Sequence, residues 1–190
     1  MPTRFRALPL MICMLSLAMP VVAVAGEAVL AAWKHRQVEF TYMGFTTLYT
    51  CEGLKGKVKS LLRQLGARRD LKVSTSGCEF HPGEIARLPR VRLDFHAPAL
   101  RESGDRDPGP PVPAEWKMVV IKRDKPKDLG VGDCELVEQF RDQVLPAFAT
   151  RDVSGHVSCV PHQLSGSRFD LRFQALVALP SPDLAPAKRH

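Results

Sequence analysis

Four of the five cysteines, together with two histidines, are the residues of this sequence whose types and spacing could do chemistry. They are Cys51, Cys78, Cys134 and Cys159, with His81 and His162. A histidine follows Cys78 and Cys159 by three positions, so a C-x-x-H pattern occurs twice. Zinc and copper bind thiolate sulfur and imidazole nitrogen. One interpretation is therefore a zinc or copper site that uses Cys78, His81, Cys159 and His162.

The alternative is a pair of disulfides, which an even number of cysteines in an exported chain favours. Cys51 and Cys134 each begin an amphipathic segment of about 15 residues, which as a helix spans roughly 22 Å. The strand that follows each helix returns over a similar distance and ends at Cys78 or Cys159. These equal path lengths predict the pairs Cys51–Cys78 and Cys134–Cys159. A redox-active thiol is disfavoured because the sequence contains no C-x-x-C.

The two cysteine segments also repeat each other in their apolar pattern. The apolar positions are Leu54, Val58, Leu61, Leu62 and Leu65 in the first, and Val137, Phe140, Val144, Leu145 and Phe148 in the second. Further along, RVRLDFHA from Arg90 aligns without a gap on RFDLRFQA from Arg168. Apolar residues at helical spacing, followed by apolar residues at every second position, predict an α+β fold. It consists of two tandem βαββ repeats, with a largely antiparallel sheet and two amphipathic helices on one face. Each repeat would contain one disulfide.

The predicted boundaries follow from this pattern. We assign 1–25 to a signal peptide, 26–99 to the first repeat, 100–115 to a Pro/Gly-rich linker, 116–179 to the second repeat and 180–190 to a flexible tail. Thr50 and Asp133 stand where the two helices begin and are predicted N-caps.

The N-terminal residues predict export. Arg4 and Arg6 precede an apolar run from Ala7 to about Met19, and Ala23-Val24-Ala25 forms a small-residue cleavage site. We therefore expect cleavage after Ala25 and a periplasmic protein. No later apolar run is long enough to cross a bilayer.

The charge balance indicates a mildly basic mature chain. The net charge of +7 falls to +5 once Arg4 and Arg6 are removed with the signal peptide. The basic residues on and after the first helix are interpreted as a solvated face, and the alternative is contact with an anionic envelope component such as lipid headgroups or polysaccharide. They are Lys55, Lys57, Lys59, Arg63, Arg68 and Arg69. An envelope protein is the other predicted partner. Nucleic acid is not expected, because the chain is exported and its basic stretch lacks interleaved aromatic residues.

No catalytic motif was found. The sequence contains no H-E-x-x-H, G-x-S-x-G, P-loop or dinucleotide-binding glycine pattern. Asp70 and Asp152, each beside an arginine, are interpreted as turn residues rather than as paired catalytic carboxylates. The leading hypothesis is a non-enzymatic binding or interaction module with no cofactor. A zinc or copper protein and an enzyme of unrecognised type are the alternatives.

The segments EFTYMGFTTLYTCEGL, GDCELVEQFRDQVLP and SCVPHQLSG resemble those of a group of uncharacterised exported bacterial proteins. The resemblance covers about Val38 to Leu179. It implies a periplasmic location, and it implies no activity, cofactor or functional residue.

Overall fold

A computed structural model describes residues 28–78, 85–101 and 109–180. The predicted signal peptide, His81 and the predicted tail from 181 onward lie outside these ranges. The strands are β1 (Val29–Thr41), β2 (Tyr49–Thr50), β3 (Lys72–Ser76), β4 (Ile85–Ala86), β5 (Arg90–Leu100), β6 (Pro111–Lys122), β7 (Thr150–Ser158) and β8 (Arg168–Ala178). The helices are α1 (Cys51–Gln64) and α2 (Cys134–Gln143).

Six of the strands form one sheet in the order β3-β5-β1-β6-β8-β7, and every neighbouring pair in it is antiparallel. Strands β2 and β4 form a separate two-stranded pair. The two halves of the chain, 28–101 and 109–180, therefore share a continuous sheet. The ladder that joins the two described halves is short: four residues of β1, Val29–Ala32, pair with four residues of β6, Pro111–Ala114. The predicted α+β class and antiparallel sheet are confirmed.

Both helices pack into one core together with one face of the sheet. The core includes Leu54, Val58, Leu61 and Leu62 of α1, Leu136, Val137 and Phe140 of α2, Val91, Leu93 and Phe95 of β5, and Phe169, Leu171 and Phe173 of β8. The spacing of three and four in the helices and of two in the strands is what places these side chains on one side. The rings of Phe95 and Phe148 stack with centroids 4.9 Å apart, so the core crosses between the halves.

The second helix is shorter than the periodicity predicted. It ends at Gln143, and Leu145–Ala147 forms a separate 3-10 turn. Pro146 explains this, since proline disfavours the α conformation in the residue before it and cannot donate a helical hydrogen bond.

Strand β6 begins at Pro111, inside the segment predicted as a linker. Prolines are tolerated here because of their orientation. The Leu179 N–H donates to the Pro113 carbonyl at 2.8 Å, so the backbone nitrogen and carbonyl of Pro113 face away from β1. The missing N–H of proline therefore does not interrupt the β1–β6 ladder.

The two predicted helix caps have different outcomes. The Gly53 N–H donates to Thr50 Oγ1 at 3.1 Å, which confirms Thr50 as the N-cap of α1. Asp133 occupies the predicted N-cap position of α2, but its side chain makes no cap hydrogen bond there. That carboxylate is instead the centre of a buried network.

Candidate functional site

The four cysteines form the predicted disulfides. Cys51 pairs with Cys78 and Cys134 with Cys159, with Cα–Cα distances of 6.2 and 5.6 Å. Since metals bind thiolates, a site on Cys78 and Cys159 would require the reduced protein. The rings of His162 and Phe45 meet in a T-shaped arrangement, with their centroids 5.8 Å apart. Within the described ranges, no three His, Cys, Asp or Glu side chains are arranged to hold a metal ion.

Asp133 is the centre of a buried polar network, with 3% of its surface exposed. The Tyr49 hydroxyl donates to one carboxylate oxygen, and Lys57 Nζ donates to the other at 2.8 Å. The Gly130 N–H donates to that second oxygen as well. Burial raises the pKa of Tyr49 far above its ordinary value, and the hydrogen bond to Asp133 raises it further. The network joins α1 to the segment before α2.

Glu135 ties the loop after β1 to the start of α2. Only 5% of it is exposed, and it accepts hydrogen bonds from the N–H groups of Phe45 and Thr46 at 2.9 and 3.0 Å. Among the described side chains, no buried nitrogen or oxygen is without a partner. A group that is buried and fully bonded is not available to a ligand, so Asp133 and Glu135 have a structural role.

The accessible candidate site lies on the side of the sheet away from the helices. Side chains that alternate with the core positions form this surface, which we call the outer face. Trp33 of β1 and Trp116 of β6 both belong to it. Trp33 lies two positions from His35, so both side chains are on the same face of β1, and His35 pairs with His96. Trp116 lies two positions from Met118 and is on the same face of β6. Each tryptophan is half-buried and belongs to a cluster of polar side chains.

The first of these, the Trp33 cluster, contains Trp33, Arg68, Asp70 and His96. The Arg68 guanidinium lies over the indole of Trp33, 5.6 Å from its centroid. Arg68 donates to both oxygens of Asp70, at 2.9 and 2.6 Å, and its Nη2 lies 3.0 Å from Nδ1 of His96. The hydrogen bonds from Arg68 lower the pKa of Asp70 below its ordinary value.

The second, the Trp116 cluster, contains Trp116, Arg151, Asp152 and Gln174. The Arg151 guanidinium lies over the indole of Trp116, 4.4 Å from its centroid. Arg151 donates through Nε and Nη2 to Oε1 of Gln174, at 3.1 and 2.9 Å. Nε2 of Gln174 in turn donates to Asp152 at 3.1 Å. Tryptophan, arginine and aspartate are thus assembled twice, and Gln174 takes the place that His96 has in the Trp33 cluster.

The two clusters are placed symmetrically about the centre of the sheet. Leu30 pairs with Pro113, and each tryptophan lies three positions further along its own strand. Because β1 and β6 run in opposite directions, the tryptophans are separated by about six strand positions, or roughly 20 Å. A small apolar group of Ala31, Val112, Ala114 and Leu176 is buried between them.

The outer face carries more basic than acidic side chains. The basic ones, with the two cluster arginines, are Arg68, Lys72, Arg90, Arg92, Lys122, Arg151, Arg168 and Arg172, and the acidic ones are Glu39, Asp70, Asp94, Asp152 and Asp170. A depression of about 410 Å³ lies along the β1–β5 pair. Four of its lining residues, Gln37, Glu39, Arg92 and Asp94, have outer-face register.

The structure divides the predicted basic face. Lys57 turns inward to Asp133, and Arg68 belongs to the Trp33 cluster. Lys55 pairs with Glu52 at 3.1 Å. The sequence contained a signal for the clusters, namely Arg151 next to Asp152 and Arg68 two positions before Asp70, but it did not connect them to the tryptophans.

Comparison with protein-family models, curated proteins and solved structures gave no match for this chain. Neither helix in the described ranges has the length and apolar character needed to span a bilayer.

Proposed function

We propose that the chain is exported to the periplasm and acts there as a non-enzymatic binding module for an anionic component of the envelope. One observation carries the proposal: a tryptophan, an arginine and a carboxylate are assembled twice on one exposed sheet face. Arginine is suited to recognising carboxylate and phosphate groups. The basic excess of the outer face adds a long-range attraction for polyanions.

Two features support the export part of the proposal. The basic start, apolar run and A-x-A site at 1–25 fit a cleaved signal peptide. The two disulfides fit an oxidising compartment.

We also infer that the two halves are tandem βαββ copies. The series β1, α1, β3, β5 is followed by β6, α2, β7, β8, apart from the short β2 and β4. Outward from the centre of the sheet, the order β1-β5-β3 corresponds to β6-β8-β7. Duplication accounts for a binding cluster that occurs twice.

Binding of the purified chain 26–190 to anionic ligands tests the function. The probes are a soluble polyuronate, neutral dextran, and vesicles with and without an anionic phospholipid. We expect binding to a polyanion that weakens steeply as salt is raised, since exposed charges are screened within about 10 Å at 0.1 M salt. Failure to bind any anionic probe at low salt would overturn the proposal, as would a hydrolytic or transferase activity abolished by one side-chain change.

A further inference from the structure

We propose that the Trp33 and Trp116 clusters are paired subsites for one extended anionic polysaccharide that lies along the outer face. This inference rests on the proposed function and specifies its ligand and its site.

Each cluster offers the groups that an acidic sugar requires. Within the described residues, the contacts of Arg68 and Arg151 use Nε and Nη2 of each guanidinium and leave Nη1 for a ligand. Arginine held by its neighbours is preorganised to bind a carboxylate, since little side-chain freedom is then lost. A sugar carboxylate is therefore the group we assign to each arginine.

The groups around each arginine suit a hydroxylated chain. Asp70 and Asp152 have half or more of their side-chain surface exposed, at 53% and 67%, and their oxygens accept hydrogen bonds. His96 and Gln174 add a ring nitrogen and an amide beside them. Sugar hydroxyls both donate and accept hydrogen bonds, so they can pair with the carboxylate, the amide and the ring nitrogen.

The spacing of the clusters favours a long ligand. A chain that reaches both tryptophans must span roughly 20 Å along the outer face. The second contact is then intramolecular, so affinity rises strongly once the chain can bridge the two subsites. A depression lined by Gln37 and Asp94 lies further along the β1–β5 pair on the same face. No part of this arrangement encloses a monosaccharide within 28–78, 85–101 and 109–180.

A lipid surface fits the same face less well. The two indoles lie under guanidinium groups instead of projecting as apolar anchors. Acidic side chains are interspersed among the basic ones, and these would face a sheet of anionic headgroups. Alternating donors and acceptors match a hydroxylated chain better than a uniform negative surface.

The test is a titration of the full mature chain with polyuronate oligomers of graded length, in which binding is measured by calorimetry or intrinsic fluorescence. The variants are Arg68→Met, Arg151→Met and the double variant. Arg141→Met is the matched control, because Arg141 of α2 is likewise held by an aspartate, Asp142, and the same charge is lost on the helix side of the sheet. Circular dichroism and a non-reducing thiol assay establish that each variant is folded.

We expect long oligomers to bind at least tenfold more tightly than dimers. Each single outer-face variant should weaken binding of the long oligomers five- to thirtyfold, the double variant should abolish it, and Arg141→Met should change it less than twofold. Long oligomers that bind the outer-face variants as well as the control would overturn the inference and leave the proposed function standing. Equal affinity for dimers and long oligomers would overturn the paired subsites. Binding to anionic vesicles alone would replace polysaccharide by lipid, whereas no binding to either probe would overturn the function itself.

Discussion

Lys57 Nζ lies 2.8 Å from Asp133 Oδ2, although 76 residues separate the two along the chain. This ion pair joins α1 of the first half to the segment that begins α2 of the second. The Asp133 side chain is 4% exposed and that of Lys57 is 21% exposed. A carboxylate so deeply buried depends on every donor that it has.

Substitution of Lys57 therefore tests how much the fold depends on this network. We expect Lys57→Met to lower the free energy of unfolding by about 3 kcal/mol, because it leaves a buried carboxylate without its cation. Urea unfolding measures this. Lys55→Met is the control, since Lys55 pairs with the exposed Glu52 and such a pair contributes about 1 kcal/mol or less. Equal effects of the two substitutions would contradict the structural role of Asp133.

The Cys51–Cys78 disulfide should contribute measurably to stability. It closes a loop with a sequence separation of 27. On the chain-entropy model, the double variant Cys51→Ala/Cys78→Ala should lose roughly 3 to 4 kcal/mol of unfolding free energy. A non-reducing peptide map of the unmodified protein should contain both predicted disulfide-linked peptide pairs. Four alkylated thiols in that map would contradict the connectivity.

The tyrosines provide a pH test, because the chain has only two and both are buried. Burial raises the pKa of Tyr42 and Tyr49 above the ordinary value of about 10. Their contribution to stability is therefore complete below pH 10 and is lost as the pH rises above it, where the unfolded state releases protons that the folded state keeps.

In an alkaline titration, we expect the tyrosinate absorbance to rise together with the loss of tertiary structure. The protein in denaturant serves as the control and should titrate near pH 10. Reversible ionisation of either tyrosine near pH 10 in the folded protein would show that it is accessible to water, contrary to the structure.

The contact between Arg68 and Trp33 can be tested without any ligand. The chain has two tryptophans, so Trp116→Phe leaves Trp33 as the single fluorophore. In that background, Arg68→Met should shift the emission to longer wavelength, because water reaches the indole face that the guanidinium covers. Arg151→Met in the same background should leave the emission unchanged, since it alters the distant cluster. A shift of equal size in both variants would contradict the separation of the clusters.

The sequence predicted the parts of the fold that depend on local pattern. The disulfides followed from the lengths of the helix and strand between each cysteine pair, and the core positions of α1 followed from helical spacing. The start of β6 was missed because its two prolines are typical of a linker. Only the pairing of β6 with β1 shows which way the backbone of these prolines faces. Pro146 ends α2 early, and the spacing of the apolar residues does not predict this end.

The candidate site was much less accessible to sequence reasoning. Arg68 was assigned to a basic helix face, but its guanidinium reaches a tryptophan 35 positions earlier. Lys57 was assigned to the same face, although a buried aspartate 76 positions later draws it inward. Both contacts depend on the register of distant strands. Sequence spacing did not connect His96 with Trp33 or Arg68, and the β1–β5 pairing brings it into the Trp33 cluster.

The short β1–β6 ladder has a consequence for how the molecule opens. Four paired positions supply few backbone hydrogen bonds, so the halves are held together mainly by side chains such as Phe95 against Phe148. Local opening of either half would remove part of the other's core. Repeats in a solenoid contact only their neighbours and can unfold piecemeal. Here the two halves form one cooperative unit, in which the slowest-exchanging amides of both should report the same global opening.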